Sequence, residues 1–167
     1  MFTFFSRQGR ARKRQAAALY KAAALAARKP EFYRDFGVPD SFDGRFEMLC
    51  LHIWLVMRRL HAEGQEKLAQ NLFDTMFKTM EQTIREIGVG DLSVPRHMKK
   101  MMTGFNGRAS AYEAAMRGQE KLEDVLVRNV YGTVDGIEPD KLAALAEYVR
   151  KAALEPPEME EQNVAQT

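Results

Sequence analysis

The run FEMLCLHIWLVM, Phe46 to Met57, constrains the fold of this chain more than any other stretch. Wound at 100° per residue, it places Phe46, Leu49, Ile53, Val56, Met57 and then Leu60 on one side and Met48, Leu51 and Leu55 on the other. A helix that is apolar around most of its circumference must be enclosed by others, so a helix over about Asp43 to His61 is predicted at the centre of the fold. The run is interrupted by Glu47 and His52 and flanked by Arg45, Arg58 and Arg59. It is also well short of the roughly 20 apolar residues that a membrane-spanning helix needs, so it reads as a buried helix.

The remaining segments repeat apolar residues at intervals of three and four rather than two, and long β-branched runs are missing, which predicts helix nearly throughout. The first segment, about Ala11 to Arg28, is rich in alanine and stops before Pro30; its weak apolar face suits a docked or interfacial helix, not a core one. A connection punctuated by Pro30, Gly37, Pro39 and Gly44 follows. It interleaves Phe32, Tyr33, Phe36 and Phe42, four aromatics expected to be covered. Past the central helix, Gln65 to Ile87 carries a regular stripe of Leu68, Leu72, Phe73, Met76, Phe77, Met80, Ile84 and Ile87, with Asp74–Lys78 and Glu81–Arg85 as i,i+4 pairs outside. The fourth helix, about Val94 to Met116, has Met98, Met101, Phe105, Tyr112 and Met116 on one face. Gly104, Gly107, Ala111 and Ala114 form a line of small residues where another backbone could come close. A fifth helix ends at Gly132, and a sixth runs from near Pro139 and Asp140 to the stop at Pro156 and Pro157.

The expected fold class is all-α: a single compact bundle of about six helices. It divides into a basic N-terminal segment with an Ala-rich helix (1–30), a helical domain (31–154) and a disordered acidic tail (155–167). A chain of 167 residues is long enough to bury one core. The net charge of +2 hides an uneven distribution. Eight cations and no acid lie before Glu31, whereas Glu155, Glu158, Glu160 and Glu161 are followed by no cation. The single cysteine, Cys50, excludes an intramolecular disulfide and favours a reducing compartment. A secretory signal would place its apolar core after the basic residues, but here MFTFF precedes them.

Between Ile84 and Lys100 lies IREIGVGDLSVPRHMKK, whose Gly88 and Gly90 resemble a phosphate-cradling loop. Such loops follow a strand and carry a third glycine or a following Lys-Ser or Lys-Thr pair, and none is present. The stretch therefore reads as a helix joint, with Gly88 ending one helix in a left-handed conformation, Asp91 or Ser93 capping the next, and Pro95 in its first turn. Cys50 and His52 are two apart on a helix and point about 200° apart, so they do not share a metal. His52 reads as a hydrogen-bonded core or rim histidine, and His97 has no second histidine at helical spacing. Glu47 is a lone carboxylate in an apolar helix. No nucleophile motif is present, so the residues imply neither an enzyme nor a cofactor.

Two basic regions leave alternatives open. The run RHMKKMMTGFNGR joins Arg96, Lys99, Lys100 and Arg108 to Met98, Met101, Met102 and Phe105. It suits nucleic acid, the solvated edge of an ordinary amphipathic helix, or a protein-binding surface whose flexible thioethers accept varied apolar partners. The head pairs Phe2, Phe4 and Phe5 with Arg7, Arg10, Arg12, Lys13 and Arg14. That composition suits an anionic membrane surface, ribosomal RNA, an import presequence or a disordered end without a role.

The segments FYRDFGVPDSFDGRFEMLCLHIWLVMRRL, LAQNLFDTMFKTMEQTIREIGVGDLSVPRHMKKM and FNGRASAYEAA together resemble the ubiquinol-cytochrome c chaperone family, assembly chaperones of the cytochrome bc1 complex. The resemblance covers about Phe32 to Gly132. It implies a non-enzymatic protein without cofactor that engages newly made cytochrome b, or another bc1 subunit, and aids its assembly. Mitochondrial relatives act with a small partner subunit near the ribosomal exit tunnel and carry a longer import region. This chain is more similar to a bacterial relative at the cytoplasmic face of the inner membrane; the matrix side of the mitochondrial inner membrane is the alternative, and ribosome and partner-subunit contacts stay open. On this reading a groove bordered by the third and fourth predicted helices receives the client, with Phe73, Phe77, Met98, Met101 and Met102 as apolar contacts flanked by Lys99 and Lys100. The competing function is an RNA- or ribosome-binding helical protein that uses the head and the edge from Arg96 to Arg108.

Overall fold

The computed structural model describes residues 2–88, 90 and 93–154. Among them are seven helices and no strand: α1 (Phe2–Ala27), α2 (Pro30–Arg34), α3 (Phe42–Ala62), α4 (Glu66–Glu86), α5 (Val94–Met116), α6 (Leu122–Asn129) and α7 (Pro139–Leu154). The expected all-α bundle is present. The seventh helix is α2, a short turn that Pro30 opens inside the aromatic connection. Asp91, the acidic segment 155–167 and the side chains of Phe2 and Phe5 lie outside the described residues.

Helix α1 begins at Phe2, well before the expected Ala11. Only Gly9 weakens that stretch, at about 1 kcal/mol relative to alanine, and the alanine-rich remainder carries the helix through it. No side chain described between Phe4 and Gln15 is buried, whereas Ala16, Leu19, Ala23 and Ala27 face the core. The rear half of α1 thus contributes a core stripe, more than a docked helix would.

Helix α3 lies at the centre and divides the interior into two clusters. On one side Met48, Leu51, Trp54 and Leu55 meet Phe32, Tyr112, Tyr131 and the apolar faces of α6 and α7. On the other, Cys50, Ile53 and Leu60 meet α1, Leu68, Leu72, Met76 and Phe77 of α4, and Phe105 of α5. Cys50 and His52 therefore belong to opposite sides of the helix, as its geometry requires.

The first cluster is tied together by polar groups at its edge. Phe32 is fully buried and meets Phe36, His52 and Tyr148 edge to face, with centroids 5.8, 5.4 and 4.9 Å away. The Tyr33 hydroxyl donates to Ala27 O (2.8 Å), and the Tyr131 hydroxyl donates to Phe36 O (2.7 Å). His52 Nδ1 donates to Met48 O (2.7 Å), which leaves Nε2 to accept from the Tyr148 hydroxyl (2.8 Å). Burial pushes His52 down to about 4, so the ring is neutral at pH 7 and clamps α3 to α7.

Three local expectations change. Phe42 is 70% exposed, so one of the four connection aromatics is left uncovered. Gly107 has open space where a Cβ would stand, and a Cβ at Gly104 would meet only the Arg108 guanidinium at 2.8 Å, so neither glycine brings a second backbone close. Close approach occurs instead at Gly44, where a Cβ would stand 1.9 Å from Pro39 O. Glu81–Arg85 forms as an ion pair (2.9 Å), but Asp74 accepts from Gln70 Nε2 (2.9 Å) rather than pairing with Lys78.

Candidate functional site

The uncovered Phe42 opens α3. Ser41 caps this helix by accepting from Gly44 N (3.1 Å), and the missing side chain at Gly44 lets the loop at Pro39 lie against the first turn. Phe42, Phe46 and Leu49 then follow one another at helical spacing along one face. The last turns of α4 bring Met80 and Ile84 beside them and Ile87 just past its end, the end of α1 brings Tyr20 and Ala24, and α5 brings Met101. With Arg28, Arg45, Thr79 and Thr83 at its edges, these residues line a largely apolar groove of about 240 Å³. Its mouth is markedly apolar, since Ile87 is 67% exposed in addition to Phe42.

Phe42, Phe46, Ile84 and Met101 also line a second, more polar recess of about 490 Å³ that continues toward α6 past Glu47, His97, Arg108, Asn129 and Thr133. The wall between the two is fixed by an ion pair. Arg108 Nε donates to both oxygens of Glu47 (2.8 and 2.7 Å), and the guanidinium lies 5.7 Å over the Phe46 ring. Glu47, which its sequence context leaves alone, thus has a partner 61 residues along the chain. Hydrogen bonding to Glu47 raises the pKa of Arg108 further above its usual value, so the guanidinium keeps its charge. Through their shared lining of Phe42, Phe46, Ile84 and Met101 the two recesses form a continuous surface, apolar at one end and polar at the other.

The residues expected at the client groove are distributed differently. Met101 lines both recesses. Phe77 is 6% exposed and Phe73 half-buried; their rings lie 4.6 Å apart and meet Phe105 at 6.1 and 5.7 Å, which makes them packing between α4 and α5. Phe77 is thus packed in the core. Met98 is half-buried against the second cluster, and Met102, Lys99 and Lys100 are exposed along α5. The joint behind them has Gly88 at φ 89°, past the end of α4. Ser93 stands at the start of α5 without capping it: its hydroxyl donates back to Gly90 O (2.9 Å), and Pro95 occupies the first turn. Phe42, Phe46, Ile84 and Ile87 went unrecognised as groove residues; the spacing of Phe42, Phe46 and Leu49 at i, i+4 and i+7 was the available signal. At the head, Arg7, Arg10, Arg12, Lys13 and Arg14 have no ion-pair partner among the described residues.

Among the described residues no three His, Cys, Asp or Glu side chains gather as metal ligands, and no helix is long and apolar enough to cross a membrane. A helical bundle that presents an apolar groove has the build of a protein that binds other chains. The comparison with known families is specific: residues 34–166 match the profile of the ubiquinol-cytochrome C chaperone, and the chain belongs to that family. The ubiquinol-cytochrome-c reductase complex assembly factor 1 of Xenopus laevis is 26% identical over 124 residues, which cover 72% of this chain and 62% of that protein. The human protein of the same name is 27% identical over 124 residues, covering 72% and 41%. The chain thus spans less than two thirds of the length of these relatives. The crystal structure of the Cbp3 homolog from Brucella abortus superposes with a TM-score of 0.77 at 35% identity, covering 91% of this chain and 85% of that one.

Proposed function

We propose that this chain is an assembly chaperone that binds newly made cytochrome b, or an early intermediate containing it, and promotes biogenesis of the cytochrome bc1 complex. Family membership supplies the assembly role, and the observation that carries the binding mode is the groove at Phe42, Phe46, Ile84, Ile87 and Met101. An apolar client segment laid there would cover side chains otherwise left in water, at about 25 cal/mol per Å² of apolar area removed. Lys99, Lys100 and Met102 on α5 border the approach. The polar recess beyond Phe46 accommodates the less apolar end of the same segment.

The protein works at the cytoplasmic face of a bacterial inner membrane, or on the matrix face in a mitochondrial setting, held there by the basic head. Phe4 at 63% exposure and the cations of α1 that have no ion-pair partner among the described residues support this reading. The same cations favour a second reading, contact with RNA or the ribosome, which a steep salt dependence of RNA binding would reveal. Deletion of the protein tests the assembly role. Loss of assembled bc1 complex together with cytochrome b is expected, and normal amounts of both would overturn it.

A further inference from the structure

Helix α1 carries two rows of residues at seven-residue spacing on the side turned away from the core. The first is Phe4, Ala11, Ala18 and Leu25, joined by Ala22; the second is Arg7, Arg14 and Lys21, joined by Arg10. At 100° per residue each set falls within an arc of about 60°, and the two arcs adjoin. Both lie opposite Ala16, Leu19, Ala23 and Ala27, which face the interior. Leu25 is 54% exposed and Phe4 63% exposed, and every other member of the two rows is exposed too. None of the four cations has an ion-pair partner among the described residues, and no acidic residue occurs anywhere in α1.

An apolar row flanked on one side only by cations does not fit a partner helix in a coiled coil, which needs a second apolar row three or four residues away. It does fit an anionic lipid surface, with aliphatic side chains entering the headgroup boundary and cations held by phosphates beside them. Resting on the membrane reading above, the geometry points to the whole outer face of α1, not its basic head alone, as the membrane-contacting surface, with the 26-residue helix lying flat on an anionic bilayer. Leu25 and Lys21 are then lipid contacts as much as Phe4 and Arg7. Arg28, one heptad beyond Lys21, lines the client groove. The flat orientation therefore holds the groove at the bilayer surface, where an apolar client segment emerges.

The test uses the full chain with one cysteine introduced at a time, Leu25→Cys, Ala18→Cys or Phe4→Cys, each labelled with an environment-sensitive fluorophore. Cys50 is 1% exposed and burial pushes its thiol far above its usual pKa, so it does not compete for the label. Vesicles of phosphatidylcholine containing phosphatidylglycerol should blue-shift and brighten the probe at all three positions, and phosphatidylcholine alone should not. Reversing two cations, Arg14→Glu with Lys21→Glu, should weaken vesicle binding at least tenfold, whereas Lys78→Glu on α4 should leave it unchanged. A response at position 4 without one at 18 and 25 would overturn the flat orientation while leaving the head as an anchor. Absence of vesicle binding, or a response to RNA only, would overturn the orientation and the membrane reading together.

Discussion

The two clusters on either side of α3 are built from different side chains. Toward α6 and α7 the cluster is aromatic and closed at its centre, with a recess of about 820 Å³ only at its Trp54 and Leu55 margin: Phe32, Tyr112 and Tyr131 are buried to within 1%, and Tyr33, His52 and Tyr131 lock its other margins through hydrogen bonds to neighbouring elements. Toward α1 and α4 the cluster holds Met76, Met80, Met98 and Met101 and is edged by half-buried Phe46, Leu49 and Phe73. It opens at Phe42 and Ile87 into the groove. Directional hydrogen bonds and rigid rings specify one arrangement, whereas thioethers and uncovered apolar side chains accept several. One side of the central helix thus secures the fold, and the other presents uncovered apolar side chains.

The division predicts separable effects. Leu145→Ala in the closed cluster should cost about 2–5 kcal/mol of unfolding free energy in urea titrations, with recovery of cytochrome b per folded molecule unaltered. A loss of client recovery without loss of stability would contradict the division. Arg108→Met leaves the buried Glu47 carboxylate without its partner and should cost about 3–5 kcal/mol; adding Glu47→Leu should recover most of it, since an apolar pair of similar size tolerates that position. A double variant as unstable as the single one would show that the divider acts through shape and not charge.

His52 supplies a pH signature for the closed side. Its folded-state pKa lies below the ordinary 6.5, at about 4. Its contribution is therefore complete above pH 6.5 and is lost as pH falls toward 4, because the unfolded chain takes up the proton first. The loss across that window should approach the order of 3 kcal/mol, read as the shift in urea midpoint between pH 7 and pH 4.5. His52→Gln should flatten that dependence. On the open side, Phe42→Gln with Ile87→Gln should leave stability within about 0.5 kcal/mol. Co-purification of cytochrome b from mildly solubilised membranes should nevertheless fall about tenfold, or about 1.4 kcal/mol.

The closed side was more legible in the sequence than the open one. The apolar circumference from Phe46 to Leu60 determined that α3 is central, and the i,i+2 geometry of Cys50 and His52 placed them on opposite sides. Pairings across long separations left no local trace: Glu47 with Arg108, Trp54 with Glu113, and His52 with Tyr148 each join residues more than 50 positions apart. The recess at Phe42 and Ile87 escaped notice for a related reason. Phe73, Phe77 and the methionines of α5 share a helical stripe with residues that do reach the surface, and periodicity alone does not tell which end of a stripe another helix covers. Phe42 was assigned to the interior because aromatics in a connection are usually covered. Its exposure follows from Ser41 and Gly44, which start α3 one residue earlier and turn that ring outward.

The central claim is that the client lies against the open side of α3. A photo-crosslinking residue placed at Phe42 in cells making labelled cytochrome b, with the same residue at exposed Val127 on α6 as the comparison position, tests it most directly. The account predicts a crosslink to newly made cytochrome b from position 42 and none from 127. Crosslinking from 127 alone, or equally from both, would contradict it.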